Sequence, residues 1–328
     1  MKRVILTGGS GFVGANLARR LVRDGHELHL FLRPEHSDWR IRGIQTDLRA
    51  HRVDLHDADR IHQNVAAIRP DWIFNLATYG AYPDQTDERR MVQTNVFGAM
   101  NLVNASLQRG CEAFINTGSS SEYGLKDHAP SEDENLAPNS AYAVTKAAAT
   151  RYCQDVGRTH AANIQTLRLY SVYGPWEEPG RLIPTLISRG VNGELPALAN
   201  PETARDFVFV DDAVDAYLLA ASAGPLEPGG IYNVGTGVQT SLREAVDVAR
   251  RVFDITAEPE WGTLPARAWD TDVWVADNSK FRNRFAWRPR FDFERGFRAT
   301  VEWFKSHPEI WSAATSRVLF PSPQAERG

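Results

Sequence analysis

The stretch RVILTGGSGFVGANLARRLVRDG, residues 3–25, decides the fold of this protein. An apolar run typical of a buried strand leads into an amphipathic segment from Phe12, typical of a helix that ends at a glycine. Gly8, Gly11 and Gly14 lie at the junction. A glycine-rich turn between a strand and a helix predicts backbone N–H groups and a helix N-terminus that face a pyrophosphate. The alternative is a ligand-free turn of a flavodoxin-like sheet.

Outward from this turn, short apolar runs alternate with amphipathic stretches, which predicts βαβ units and a parallel sheet. Further strands are expected at 28–32, up to 53–55, and at 72–77, 113–118 and 164–170, with helices ending near Ile68 and over 95–108 and 140–157. We therefore predict an α/β fold, with a Rossmann-type doubly wound parallel sheet over 1–173. Glycines and prolines punctuate 174–328, which predicts a smaller C-terminal domain. Segments near 207–240 are expected to return to the main sheet, and 322–328 to fray.

Bulk properties exclude several classes of protein. The 328 residues carry 37 basic and 41 acidic side chains, a net charge of -4, so a nucleic-acid partner is not expected. Cys111 and Cys153 show no metal-ligand spacing, and we expect no metal site and a reducing compartment. No apolar stretch approaches the roughly 20 residues that span a bilayer, and no signal peptide pattern opens the chain. We expect a soluble cytoplasmic protein without a membrane partner.

Cofactor choice depends on the end of the second strand, Leu32-Arg33-Pro34. NAD sites usually carry an acid there for the ribose hydroxyls, whereas an arginine accommodates the 2′-phosphate of NADP. Arg33 therefore favours NADP over NAD, unless it is only a solvated loop charge. Phe12 and Val13, beside the glycine turn, are also expected to bind the dinucleotide. Asp54 and Leu55 are expected at the adenine edge, and Leu76 and Ala77 near the ribose and phosphates.

Tyr142 and Lys146 lie four residues apart and therefore on one face of a helix. A tyrosine is a poor base at neutral pH because its pKa is about 10. We expect the lysine ammonium to lower that pKa and make acid–base chemistry feasible. The segment TGSSSEYG, with Ser119 and Ser120, supplies a hydroxyl for the substrate oxygen.

These motifs resemble, in order, those of the extended short-chain dehydrogenase/reductases of the nucleotide-sugar epimerase/dehydratase family. The matching stretches are TGGSGFVG, DL, NLA, TNVFGAMNLVNA, SSSEYG, YAVTK, RLYSVYGP, RDFVFVDD and NVGTG. The resemblance implies an NAD(P)-dependent enzyme with a C-terminal domain that binds a nucleotide sugar. It also implies a homodimer that forms a four-helix bundle from the helices containing Asn95 and Tyr142.

Residue roles follow from the same resemblance. Ser119 stands at the catalytic Ser/Thr position, Tyr142 at the acid/base position and Lys146 at the position that binds the nicotinamide ribose. Asn95 matches an asparagine that supports the active site. Arg205 and Arg267 match arginines that contact the nucleotide diphosphate, a role that suits bidentate guanidinium pairing, with surface salt bridges as the alternative.

Departures from the family pattern separate the possible reactions. Ser171 stands where many relatives carry an asparagine, and Thr78 follows NLA where small residues are usual, so both are expected to contact the substrate. Dehydration is not expected, because Ser120 and Ser121 replace the extra acids and Glu122 comes one place late. Arg33 favours NADPH-dependent reduction of a 4-keto-6-deoxy sugar nucleotide over 4-epimerisation with tightly bound NAD. A non-catalytic dinucleotide-sensing scaffold is the remote alternative.

Overall fold

The computed structural model describes residues 1–224, 227–265, 270–308 and 310. Its main sheet has seven parallel strands in the order β3-β2-β1-β4-β5-β6-β10. They are β1 Arg3–Thr7, β2 Glu27–Leu32, β3 Arg49–Arg52, β4 Trp72–Asn75, β5 Ala113–Ser119, β6 Ile164–Leu169 and β10 Ile231–Val234. The predicted Rossmann-type, doubly wound sheet is thus confirmed. Strands β2 and β3 follow β1 towards one edge of the sheet, and strands β4, β5, β6 and β10 follow one another towards the other edge. The strand order therefore switches between β1 and β4, where such sheets open a crevice at the carboxyl ends of the strands.

Helices cover both faces of the sheet. They are α1 Phe12–Arg23, α2 Ala58–Ile68, α3 Glu88–Met91, α4 Gly98–Arg109, α5 Ala141–Thr159 and α7 Val210–Ser222. On one face, Leu17 of α1 and Tyr217 of α7 pack against Leu6 and Leu30. On the other, α2, α4 and α5 cover the strands. Each fully buried leucine contributes about 2 kcal/mol of apolar burial, so both layers hold the sheet firmly.

The remaining elements pack around a separate apolar cluster that includes Ile183, Phe209, Val246 and Phe297. They are β7 Ser171–Tyr173, α6 Leu182–Gly190, β8 Ala204–Arg205, β9 Phe207–Phe209, β11 Thr240–Ser241, α8 Leu242–Phe253, α9 Ser279–Phe285 and α10 Phe293–Ser306. Strand β10 returns to the main sheet as expected. The expectation for 207–210 is wrong, because β9 pairs with β7 in a separate two-stranded sheet.

Two strand boundaries also differ from prediction. The third strand ends at Arg52, before the predicted 53–55, and the fourth ends at Asn75 instead of Ala77. Val53 and Leu55 lie in the turn after β3 and are buried in the cluster under α2 and α4. Their apolar character therefore reflects this burial and not a place in the strand. The predicted fraying of 322–328 lies outside the described residues.

Candidate active site

The glycine turn lies where β1 and β4 meet. Gly8 has φ +69°, and a Cβ there would lie 2.5 Å from the backbone carbon of Leu76. A Cβ on Gly14 would lie 2.2 Å from the carbonyl oxygen of Gly8. Gly11 caps α1 without a side-chain hydrogen bond. The turn is therefore a bare backbone cradle at a helix N-terminus, which fits a pyrophosphate.

The other residues predicted along the dinucleotide flank this cradle. Leu76 and Ala77 follow β4, and the N–H of Ala77 donates to the Thr7 hydroxyl over 3.2 Å. Leu55 packs against α4, where a Cβ on Gly98 would come within 3.1 Å of it. Asp54 beside it is half exposed. Phe12 and Val13 pack against the core from the first turn of α1.

Arg33 is exposed at the end of β2, and it has a cationic neighbour that the sequence analysis missed. Desolvation lowers the pKa of Arg33, and the positive charge of Arg90 lowers it further, while Asp54 opposes both effects. The Arg90 guanidinium stacks over the Tyr79 ring at 4.8 Å. Besides Arg90, the carboxylates of Asp54 and Glu35 act on Arg33, so the end of β2 holds charges of both signs.

Ser119, Tyr142 and Thr78 converge although they come from three different segments. Tyr142 lies in the first turn of α5, which starts there because the Ser140 side chain accepts the Ala143 N–H at 3.2 Å. Burial raises the pKa of Tyr142, and hydrogen bonds with the Ser119 and Thr78 hydroxyls oppose that rise. The structure thus brings together three hydroxyls around one position.

The prediction that Lys146 lowers the pKa of Tyr142 is wrong, because the pKa of Tyr142 is raised. Burial is the largest influence, because a phenolate loses more solvation than a phenol. The negative charge of Glu122 raises the pKa of Tyr142 further, and the positive charge of Arg181 lowers it. At neutral pH Tyr142 is therefore a protonated phenol, which suits a proton donor.

Lys146 lies one turn further along α5 and is buried, with 4% of its surface exposed. Its ammonium donates a hydrogen bond to the Thr117 carbonyl oxygen on β5. Burial lowers the pKa of Lys146 to about 8, whereas Glu122 raises it. The lysine is consequently held against the strand that leads to Ser119.

Asn95 lies in a π-helical segment, Val92–Phe97, inside the long helix between α3 and α4. Its amide oxygen accepts the Tyr79 N–H at 2.8 Å and the Thr78 hydroxyl at 3.2 Å. Its amide nitrogen donates to the Tyr79 carbonyl and to the Thr145 hydroxyl of α5. Asn95 thereby ties the loop after β4 to the helix that carries Tyr142. Such π segments often mark functional sites.

Three other predicted substrate residues, Ser120, Ser171 and Arg205, lie beside the C-terminal elements. Ser120 is buried, and its hydroxyl accepts the Trp274 indole N–H at 3.2 Å. Arg205 lies over the same indole at 5.2 Å and pairs with Asp270 at 3.3 Å. Ser171 begins β7, beside β9. Arg267 lies outside the described residues.

The sequence analysis missed a buried polar group beneath Ser119. Glu122 is fully buried and pairs with Arg168 at 2.8 Å, and Arg168 itself is only 2% exposed. The Glu122 carboxylate also accepts the Ser119 N–H at 2.8 Å. Two sequence signals were available: the spacing of Ser119 and Glu122 is that of a capping box, and Arg168 is a charge within the largely apolar strand β6.

Neither a membrane-spanning helix nor a metal-binding cluster is present among the described residues. Every helix of the described residues is too short or too polar to cross a bilayer. Within the same residues, no three His, Cys, Asp or Glu side chains are grouped so as to hold a metal ion.

Comparisons with known proteins agree with the motif order. The model of the NAD dependent epimerase/dehydratase family matches residues 4–235. The trifunctional UDP-glucose 4,6-dehydratase/UDP-4-keto-6-deoxy-D-glucose 3,5-epimerase/UDP-4-keto-L-rhamnose-reductase of Arabidopsis thaliana is 26% identical over 98% of this chain, which spans 50% of that relative's length. The UDP-glucose 4-epimerase of Mycolicibacterium smegmatis is 29% identical, over 93% of this chain and 99% of that enzyme. The structure of MoeE5 with UDP-glucuronic acid and NAD is 28% identical, with a TM-score of 0.81 over 93% of this chain and 99% of MoeE5.

Proposed function

The chain belongs to the NAD-dependent epimerase/dehydratase family, and from this premise we propose that it reduces a 4-keto-6-deoxy sugar nucleotide with NADPH. The feature that supports the proposal is the cation Arg33 just after β2, where NAD sites usually carry an acid, with Arg90 as a second cation close enough to lower its pKa. A ribose 2′-phosphate would neutralise their mutual repulsion through charge-assisted hydrogen bonds. A ribose 2′-hydroxyl would not.

The catalytic residues suit this reaction. NADPH, when bound, supplies the hydride for the sugar's keto carbon. Tyr142, protonated at neutral pH, donates its phenolic proton to the developing alkoxide. The Ser119 hydroxyl donates a hydrogen bond to the same oxygen. Lys146 is expected to bind the nicotinamide ribose, and Arg205, with Arg267, the nucleotide diphosphate.

The surroundings of Glu122 support reduction over dehydration. Elimination of water from the sugar needs a further acid and base that face the cleft. Glu122 is fully buried, and Arg168, Thr150 and the Ser119 N–H occupy its carboxylate. Ser120 and Ser121 have hydroxyls, which are poor acids and bases at neutral pH.

Two further features are part of the proposal. We expect a homodimer, because Phe97 and Val144, on the two helices predicted to form the bundle, are each 51% exposed. We also expect a cytoplasmic location, because Cys111 and Cys153 are both free thiols.

Cofactor affinity tests the proposal. Arg33→Ala should weaken NADPH binding by about 10- to 100-fold, the loss of about 1.5–3 kcal/mol for a hydrogen bond to a charged group, and leave NADH binding unchanged. Arg90→Ala should act in the same direction. Arg23→Ala, on the exposed end of α1, is the matched control. The dissociation constants are measured by fluorescence titration, and equal losses for both cofactors would contradict the proposal.

The second candidate is a 4-epimerase with retained NAD. It is favoured by the likeness to the Mycolicibacterium smegmatis 4-epimerase and by the NAD in the MoeE5 complex. A stoichiometric amount of NAD that copurifies with the protein, together with turnover of a sugar nucleotide without added reductant, would establish it and overturn the reductase.

A further inference from the structure

We propose that Glu122 is a positioning residue of this active site: its buried carboxylate holds the backbone of Ser119 and supplies the negative charge that faces Tyr142 and Lys146. The inference rests on the proposed function, because it concerns the acid–base residues of that reaction. Glu122 does not reach the cleft, so it acts through other residues.

Both oxygens of the Glu122 carboxylate accept hydrogen bonds. Oε1 accepts the Ser119 N–H at 2.8 Å and the Thr150 hydroxyl at 2.9 Å. Oε2 accepts the Arg168 Nε–H at 2.8 Å. The glycine before Ser119 makes room for it, since a Cβ on Gly118 would lie 2.8 Å from Oε1. A buried charge with this many donors is held in one position.

This carboxylate sets the position of the Ser119 hydroxyl. Ser119 caps the 3₁₀ turn Ser120–Tyr123, and its side chain accepts the Ser121 N–H at 3.2 Å, while Glu122 returns to the Ser119 N–H. This reciprocal capping box fixes the backbone on both sides of the serine. A shorter side chain at 122 would loosen the turn and move the hydroxyl that meets the substrate oxygen.

The charge of Glu122 also acts on both titratable residues of the site. Around Tyr142 the charged and polar groups are Glu122, Arg181 and the hydroxyls of Ser119 and Thr78, and Glu122 raises its pKa. Around Lys146 they are Glu122 and Cys153, and Glu122 raises the pKa of Lys146 as well. Both effects keep the phenol protonated and the lysine charged to higher pH. Removal of the charge should therefore move the alkaline loss of activity to lower pH.

The test is the pH profile of kcat for ketone reduction in Glu122→Gln. The glutamine keeps the size of the side chain and can accept the Ser119 N–H, but it has no charge. We expect the alkaline limb to move down by about one pH unit, the size of effect that a nearby buried charge exerts. Thr150→Val is the matched control: it removes one hydrogen bond to the same carboxylate, keeps the charge and should leave the limb in place. An unmoved limb in folded Glu122→Gln overturns the inference.

A second variant covers the case in which Glu122→Gln fails to fold because Arg168 is left unpaired in the interior. Glu122→Asp keeps the charge for Arg168 but withdraws the carboxylate from Ser119 by one methylene. We expect kcat to fall about 10-fold with the alkaline limb unmoved and KM nearly constant. Wild-type kcat in folded Glu122→Asp would also overturn the inference.

Failure of this inference differs from failure of the proposed function. If the wild type reduces no keto sugar nucleotide, the proposed function fails, and the alkaline ultraviolet titration of tyrosinate then tests the inference alone. The signal of Tyr142 is isolated by subtracting the curve of Tyr142→Phe. Its midpoint should be lower in Glu122→Gln than in the wild type, and equal midpoints would count against Glu122.

Discussion

Burial acts in opposite directions on the pKa values of Tyr142 and Lys146, the two proposed catalytic side chains of α5. It raises that of Tyr142, because a phenolate would lose solvation, and lowers that of Lys146 to about 8, because an ammonium would. Both residues are therefore pushed towards their neutral forms. Glu122, on the turn beneath them, opposes this for the lysine and reinforces it for the tyrosine. The pair was predictable from the i, i+4 spacing, but the net direction for Tyr142 depends on burial, which the spacing does not show.

At the residue scale, Tyr142→Phe should reduce kcat by about 100- to 10,000-fold, because it removes the proton donor while the ring still packs. The lost hydrogen bonds with Ser119 and Thr78 should cost only about 1 kcal/mol of the free energy of unfolding. Steady-state rates and urea unfolding check these two expectations. Substantial turnover by the folded variant would show that another group donates the proton.

At the scale of elements, most of the sheet was predictable because buried parallel strands are continuous apolar runs. The glycine turn, β1, β5 and β6 all lie within a residue or two of their predicted places. The prediction placed the third strand too far along the chain, and the reason is physical. Residues Arg49–Arg52 form a sheet edge that is largely open to water, so they carry no apolar signal. Strand β9 has that signal, but Phe207 and Phe209 pack in the C-terminal cluster instead.

The glycine turn allows a controlled test of its close packing. Gly8→Ala should lower the free energy of unfolding by about 2–4 kcal/mol, since it combines a positive φ with a clash against the backbone at Leu76. Gly25→Ala has a similar φ, +78°, but an open surrounding, and should cost only about 1 kcal/mol. Urea denaturation of both variants gives the comparison. Equal losses would mean that the contact between β1 and β4 can relax.

At the scale of the whole molecule, the candidate site brings together two groups of elements: those of the parallel sheet carry the glycine turn, Tyr142 and Lys146, and the C-terminal elements carry Arg205 and Trp274. Trp274 links them by its hydrogen bond to Ser120. Val92, Phe97 and Val144 are exposed apolar residues on the helices that contain Asn95 and Tyr142. A second copy of this chain that covers these residues would brace both helices.

These exposed residues predict the oligomeric state. Phe97→Asp should convert a dimer into a monomer, because a buried, unpaired carboxylate opposes association. Val191→Asp, at an equally exposed valine after α6, should leave the dimer intact. Sedimentation velocity over a range of concentrations distinguishes the two outcomes. A wild type that sediments as a monomer throughout would refute the proposed dimer.

The sequence by itself determined the sheet, the glycine cradle and the Tyr142–Lys146 pair, because strand burial, turn geometry and helical spacing are local properties of the chain. Only the tertiary structure decided that Glu122 pairs with Arg168, that Arg90 lies near Arg33, and that Asn95 ties the loop at Thr78 to α5. These contacts link residues about 15 to 60 positions apart, and their energies depend on desolvation and on charges brought together by folding. Chemistry of that kind arises from packing, which no local pattern encodes.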